Sequence, residues 1–156
     1  MLLRVFARFH RINPQSELWI CGAANEAERH LWERTYEQEG VSFLLHTEDV
    51  AMRYRQLDIL AIPSLSESWG LVAVEAMQAG IAVLCTDQSG LNECYADGVD
   101  CFFLPPTDEQ AWAEALVLYS DATVRTKMAK HGQETTKQLA FNTRFDQQIQ
   151  TIVCAS

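Results

Sequence analysis

Short apolar runs and longer segments of helical periodicity alternate along this chain. Compact apolar runs favour buried strands, whereas apolar positions three or four residues apart favour helices. The predicted strands are 18–21, 41–45, 59–62, 81–85 and 101–104. The predicted helices are 2–10, 25–39, 49–57, 71–79, 107–119, 122–139 and 143–153, with one or two helical turns at 91–96. Asn25 and Thr107 are the expected N-caps of the second and fifth of these helices. This alternation predicts an α/β fold with a parallel sheet and helices on both faces.

The predicted sheet also indicates where a ligand would bind. Open parallel sheets bind ligands beyond the carboxyl ends of their strands. The loops at these ends are Gly22, His46, 64–69 and 87–90. We therefore expect these four loops to form one rim.

Residues 58–80 form the central strand–turn–helix unit of the chain. Pro63 ends the strand because proline cannot donate a hydrogen bond to a neighbouring strand. The helix at 71–79 is apolar nearly all round, which predicts burial, and Gly80 is its expected C-cap. Glu75 is the exception, because a carboxylate in such a helix is costly unless it is paired or faces a wet cleft.

Glu67 and Glu75 flank the predicted start of this helix. Free N–H groups and a partial positive charge at a helix start suit a phosphate, and carboxylates on either side suit hydroxyl groups. A nucleotide sugar has this arrangement of ribose, diphosphate and sugar. The spacing alone equally allows Glu67 to be a helix cap and Glu75 a surface acid.

Composition limits the class of protein. The chain has 156 residues, of which 48% are hydrophobic and 21% charged, and predicts one globular domain over 1–156. Its net charge of -9 argues against a nucleic-acid partner. With only 12 Lys and Arg residues, any phosphate site must depend mainly on backbone N–H groups.

The cysteines and the apolar runs bear on location. Five cysteines without CxxC or metal spacing fit a reducing compartment, and Cys21 and Cys85 are predicted core residues. No apolar run reaches the roughly 18 residues of a membrane span, and the first residues do not resemble a secretory signal. We therefore expect a cytoplasmic protein.

Residues 63–80 match the pattern PS-x-x-E-x-x-G-x-x-x-x-E-A-M-x-x-G, with two glutamates separated by seven residues. This pattern resembles the donor-site signature of retaining glycosyltransferases of family 4. Downstream, the strand 83–86, the loop 90–93, the turn 97–98 and the segment 104–106 follow the same order as in that family.

The resemblance implies a fold and a reaction. The fold would be the carboxyl-terminal, donor-binding, Rossmann-like half of the GT-B architecture. The reaction would be hexosyl transfer from a nucleotide sugar, with a UDP-sugar favoured, to a glycan or lipid with retention of configuration. No metal is expected, and no Asp-x-Asp motif is present.

The same resemblance assigns roles to residues. Glu67 would be catalytic, reaching the hydroxyls of the transferred sugar, and Glu75 would bind the ribose hydroxyls. Backbone N–H groups from Trp69 to Val72 would hold the distal phosphate and the sugar. The other donor-binding residues would be Ser68, Gly70, Leu71, Gly22 and His46.

Some features depart from the family pattern. Trp69 replaces the usual Phe, Cys101 replaces a usual glycine, and Leu45-His46 replaces a glycine near the base, which leaves the base open. The family's first strand, its diphosphate-neutralising Arg and Lys, and its amino-terminal acceptor domain are not in this chain. We therefore expect the chain alone to be inactive.

Four functions remain as hypotheses. The first is the donor half of a cytoplasmic transferase for lipopolysaccharide, capsule or glycolipid, peripherally membrane-associated and dimeric. The second is a nucleotide-sugar-binding module without catalysis. The third is another enzyme of the same architecture, against which the context of Glu67 and Glu75 argues. The fourth is a plain interaction protein.

Overall fold

The computed structural model describes residues 1–140, and the predicted helix at 143–153 lies outside them. The helices are α1 (Leu2–Ile12), α2 (Glu26–Thr35), α3 (Val50–Tyr54), α4 (Leu71–Gln78), α5 (Glu109–Ser120) and α6 (Ala122–Ala140). The strands are β1 (Leu18–Ala23), β2 (Val41–Leu45), β3 (Ile59–Ile62), β4 (Ala82–Thr86) and β5 (Phe102–Leu104). A short 3₁₀ helix covers Gly90–Glu93. The predicted alternation of strands and helices is confirmed.

The strands form two parallel sheets rather than the one expected. β1 pairs with β2, and β4 lies between β3 and β5. No described strand lies between β1 and β3, so each of these strands keeps one edge without a strand partner.

β4 organises the core because all five of its residues are buried. Its side chains alternate between the two faces of the sheet, as the two-residue period of a strand requires. Ala82 and Leu84 join a cluster with residues of α1, α5 and α6, including Trp112 and Tyr119. The next cluster lies on the opposite face and contains Val83, Cys85, Tyr54, Ala73, Val74, Ala76 and Met77.

Several predicted boundaries are wrong by a few residues. α2 ends at Thr35 and not near 39, because Tyr36 closes it with a hydrogen bond to Trp32 and the chain then turns toward β2. α5 is capped by Asp108, which accepts from the N–H groups of Gln110 and Ala111, and not by Thr107. The cap Asn25 is confirmed by its bond from Glu28.

The two cysteines that were predicted to lie in the core differ. Cys85 is buried in β4, and that burial raises the pKa of its thiol to about 11. Cys21 is exposed, so its predicted core position is wrong. The reason is that β1 is irregular between Cys21 and Ala23, where only Ala23 reaches the interior.

Candidate functional site

The turn after β3 is joined to the loop after β4 through backbone hydrogen bonds. The Glu67 N–H donates to the Gln88 carbonyl at 2.9 Å, and the Gly90 N–H donates to the Ser68 carbonyl at 3.2 Å. Glu67 is half-buried, and its Oε1 accepts from the Gly70 N–H at 3.2 Å. Glu67 therefore contacts the residue before α4 without capping any N–H group of the helix itself, and its second oxygen has no hydrogen bond within residues 1–140.

Gly90 allows the two loops to approach this closely. A Cβ at position 90 would lie 2.7 Å from the Ser68 carbonyl oxygen, which is a backbone atom that cannot swing away. We expect Gly90→Ala to displace the Ser68 turn and to lower the free energy of unfolding by about 1–3 kcal/mol, since inserted methyl groups force backbone shifts. Urea denaturation measures this loss.

Gly98→Ala is a suitable comparison. Its φ of +71° makes alanine unfavourable there, but no atom lies within 4 Å of the added Cβ. Both substitutions should destabilise the chain, but only Gly90→Ala should also change backbone amide shifts in the Ser68 turn. Unchanged shifts in Gly90→Ala would contradict this explanation of the glycine.

The start of α4 presents backbone donors without a side-chain cap. Gly70 precedes the helix in a left-handed conformation with φ +65°, and no side chain caps α4. The N–H groups of Ala73 and Val74 donate to the Gly70 carbonyl. Within residues 1–140, the N–H groups of Leu71 and Val72 have no hydrogen-bond partner, so they are available to an anion.

α4 has one buried face and one open face, so its predicted all-round burial is wrong. The buried face consists of Ala73, Val74, Ala76 and Met77. Leu71 and Val72 are 36% and 51% exposed, and Glu75 lies on the same open side. Glu75 therefore faces water, which is how the structure avoids the cost of burying its charge.

Glu75 lines an open cleft of about 650 Å³ between α3 and α4. Glu48 and Asp49, from the loop after β2, and Tyr54 and Arg55, from the end of α3, line it as well. The cleft therefore brings the loop that follows β2 to the open face of α4. Arg55 is its only basic lining residue among the described residues.

Tyr54 contacts Glu75 directly. Its hydroxyl lies 3.1 Å from Glu75 Oε2 and 3.3 Å from the Val72 carbonyl oxygen. Burial, followed by the hydrogen bond and the charge of Glu75, raises the pKa of Tyr54 well above its usual range. Tyr54 was not predicted as a site residue, because the pair is 21 residues apart and no motif includes the tyrosine.

The other predicted site residues lie at two places. Gly22 and His46 are exposed at the ends of β1 and β2, where the His46 N–H donates to the Ala23 carbonyl at 2.8 Å. Ser68 and Trp69 lie in the turn before α4, with Ser68 exposed and Trp69 half-buried. No described hydrogen bond joins the two places, and none of these four residues lines the cleft between α3 and α4.

The described residues contain no group of three or more His, Cys, Asp and Glu side chains arranged to hold a metal ion. Within the same part of the chain, no helix has both the length and the apolar character needed to cross a membrane.

The parallel sheets with helices packed on them define a Rossmann-like α/β domain. More specifically, the chain belongs to the family of glycosyl transferases group 1, whose model matches residues 1–121. The resemblance inferred from residues 63–80 is confirmed at the level of this family.

Sequence relatives support this assignment. A D-inositol 3-phosphate glycosyltransferase of Stackebrandtia nassauensis is 32% identical over 143 residues, which cover 83% of this chain and 32% of the relative. The protein of the same name from Corynebacterium glutamicum is 30% identical over 145 residues, covering 86% and 35%. The chain thus spans about a third of the length of these relatives.

Solved structures confirm the α/β fold. The carboxyl-terminal domain of a glycosyl transferase group 1 family protein, LpcC, from Francisella tularensis has a TM-score of 0.74 at 22% identity, covering 88% of this chain and 76% of that one. Anabaena HepE in complex with UDP-glucose has a TM-score of 0.75 at 24% identity, covering 99% and 44%. The fold is that of GT-B carboxyl-terminal domains.

Proposed function

We propose that this chain is the donor-binding domain of a retaining glycosyltransferase and binds a nucleoside-diphosphate sugar. One observation carries the proposal: the start of α4 offers the N–H groups of Leu71 and Val72, and Glu67 and Glu75 lie before and after them. A diphosphate fits the N–H groups, while the carboxylates suit hydroxyls on either side. Family membership supports the same assignment.

The proposed roles follow this geometry. Glu75 binds the ribose hydroxyls from the cleft, and the backbone from Trp69 to Val72 binds the distal phosphate. Glu67 is the catalytic residue at the transferred sugar. Ser68, Gly70, Gly22 and His46 complete the donor-binding set, with Gly22 and His46 nearest to the nucleobase.

In the proposed reaction, the bond between the anomeric carbon and the diphosphate oxygen breaks, and the diphosphate keeps the electron pair. The acceptor oxygen bonds to that carbon on the same face, and its proton passes to the leaving diphosphate. Backbone N–H groups at the start of α4 stabilise the charge that develops on the diphosphate.

We further propose uridine as the base, without a metal ion, and a glycan or lipid as acceptor. HepE of Anabaena, a structural neighbour, holds UDP-glucose, which supports uridine. The acceptor domain lies in the rest of the full-length enzyme, which we place in the cytoplasm, peripherally at the membrane and as a dimer. The alternative of a binding module without catalysis is not favoured, because the family relatives are transferases.

Titration calorimetry tests the binding function. Uridine, guanosine and adenosine diphosphates are titrated separately into the chain. Binding of one diphosphate in preference to the others, even at millimolar strength, supports a donor site and identifies the base. Absence of binding by all three contradicts the proposed function of this chain.

We expect the chain alone to transfer no sugar. Its α4 site offers backbone donors to the diphosphate, and the chain spans only about a third of the length of the relatives that carry the transferase name. Stabilisation of the charge on a transferring group usually contributes more to catalysis than any other single effect. Incubation with radiolabelled UDP-glucose and model glycan acceptors should give no product above a heat-denatured control, and robust transfer would overturn this expectation.

A further inference from the structure

Tyr54 is a buried residue with its polar end at the proposed donor site. It is only 6% exposed, and its ring packs in the core cluster with Ala73, Val74 and Met77 of α4. Its hydroxyl lines the cleft next to Glu75. Core packing therefore holds the ring in place, and the hydroxyl is a donor at a fixed position on the cleft side.

The hydroxyl holds one oxygen of Glu75 and leaves the other available. The tyrosine donates to Oε2 at 3.1 Å, whereas no hydrogen bond from the described residues reaches Oε1. A hydrogen bond to a carboxylate is stronger than one to a neutral carbonyl, so Glu75 competes well with the Val72 carbonyl at 3.3 Å. A tyrosine hydroxyl is protonated at neutral pH, and the raised pKa of Tyr54 extends this donor state to more alkaline pH.

We propose that Tyr54 is a positioning residue that holds Glu75 for the ribose hydroxyls, so that the domain selects a ribose over a sugar lacking them. This inference rests on the proposed donor function. Glu75 is exposed, and an exposed glutamate side chain otherwise occupies several rotamers. Fixing Oε2 reduces the conformational freedom that must be lost when Oε1 meets a hydroxyl, which is preorganisation of the site.

The contact also explains the placement of a tyrosine at the end of a short helix. α3 has only five residues, with Asp49 as its cap, and its last residue, Tyr54, inserts beside α4. Phenylalanine would fill the same space in the core. The hydroxyl is therefore needed for its contacts with Glu75 and Val72, and not for the packing of the ring.

Tyr54→Phe removes these contacts and retains the ring. Binding of UDP and of 2′,3′-dideoxyuridine diphosphate is measured by calorimetry for the wild-type chain, Tyr54→Phe and the control Tyr36→Phe. Tyr36 is a half-exposed tyrosine at the end of α2. We expect Tyr54→Phe to weaken UDP binding about three- to tenfold, the value of one hydrogen bond, and to leave dideoxy-UDP binding nearly unchanged. The control should change neither.

The inference is tested by comparing how much Tyr54→Phe weakens the binding of UDP with how much it weakens the binding of dideoxy-UDP. A merely structural role for Tyr54 would weaken both ligands equally, and this result would overturn the inference, as would unchanged UDP binding in Tyr54→Phe. In both cases UDP still binds the wild-type chain and the donor function stands. If UDP does not bind the wild-type chain at all, the proposed function fails and the inference fails with it.

Discussion

Glu75→Ala should weaken UDP binding about 10- to 100-fold, because it removes charged hydrogen bonds to the ribose, each with a net value of about 1.5–3 kcal/mol. Glu75 is exposed on the open face of α4, and its loss leaves no cavity in the core. The thermal midpoint should therefore remain close to that of the wild-type chain. Calorimetric titration of both proteins measures the difference in affinity.

Glu114→Ala is the matched control for this substitution. Glu114 is also an exposed helical glutamate with one hydrogen-bonding side-chain neighbour, Gln110, but it lies on α5 away from the cleft. The Glu114→Ala substitution removes the same charge as Glu75→Ala and should leave UDP binding unchanged. If both substitutions weakened UDP binding equally, the cause would be a general effect of charge. If Glu75→Ala left UDP binding unchanged, Glu75 would not be part of the donor site.

Trp112→Ala should have the largest effect on stability. Trp112 is fully buried in the cluster between β4, α1 and α5, and its Nε1–H donates to the Pro105 carbonyl at 2.9 Å. Truncation of a buried aromatic residue to alanine costs about 3–5 kcal/mol, since the cavity collapses only in part. The free energy of unfolding from urea denaturation, followed by circular dichroism, should fall by this amount.

Two further variants separate the sources of this loss. Trp112→Phe keeps part of the ring and removes the hydrogen bond, so its loss should be intermediate. Trp32→Ala, a half-buried tryptophan that meets Phe43 edge-on, should cost less than Trp112→Ala. A loss below about 1 kcal/mol for Trp112→Ala would mean that this cluster does not stabilise the domain as its burial indicates.

The strands and helices were predictable because their signals are local. The apolar runs at β3 and β4 are bounded by Pro63, Gly80 and polar loops, and each became a strand in the structure. The predicted cap of α5, Thr107, is wrong, because Thr107 and Asp108 are both good capping residues and the sequence does not distinguish them. Only the backbone geometry selects Asp108.

The split of the sheet was not predictable from the same signals. Alternating strands and helices predict parallel pairing but not which strands are neighbours. β1 pairs with β2, and β3 pairs with β4. Nothing in the apolar sequences of β1 and β3 shows that these two strands do not pair with each other. Which strands are adjacent depends on contacts between distant parts of the chain.

The candidate site shows the same limit. The motif around Glu67 and Glu75 is continuous in sequence, so it could be recognised directly, and the roles given to its residues stay predictions. The open face of α4 was not predicted, because Leu71 and Val72 are apolar but exposed. Composition shows that a helix is apolar, whereas only packing shows which of its faces is covered.

The most direct test of the central claim is amide nuclear magnetic resonance of the ¹⁵N-labelled chain during titration with UDP. We predict the largest, saturable shifts at the backbone N–H groups of Leu71 and Val72, with smaller shifts at Tyr54 and Glu75. The absence of shifts at the start of α4, or shifts centred on the distant helix α5, would contradict a donor site between Glu67 and Glu75.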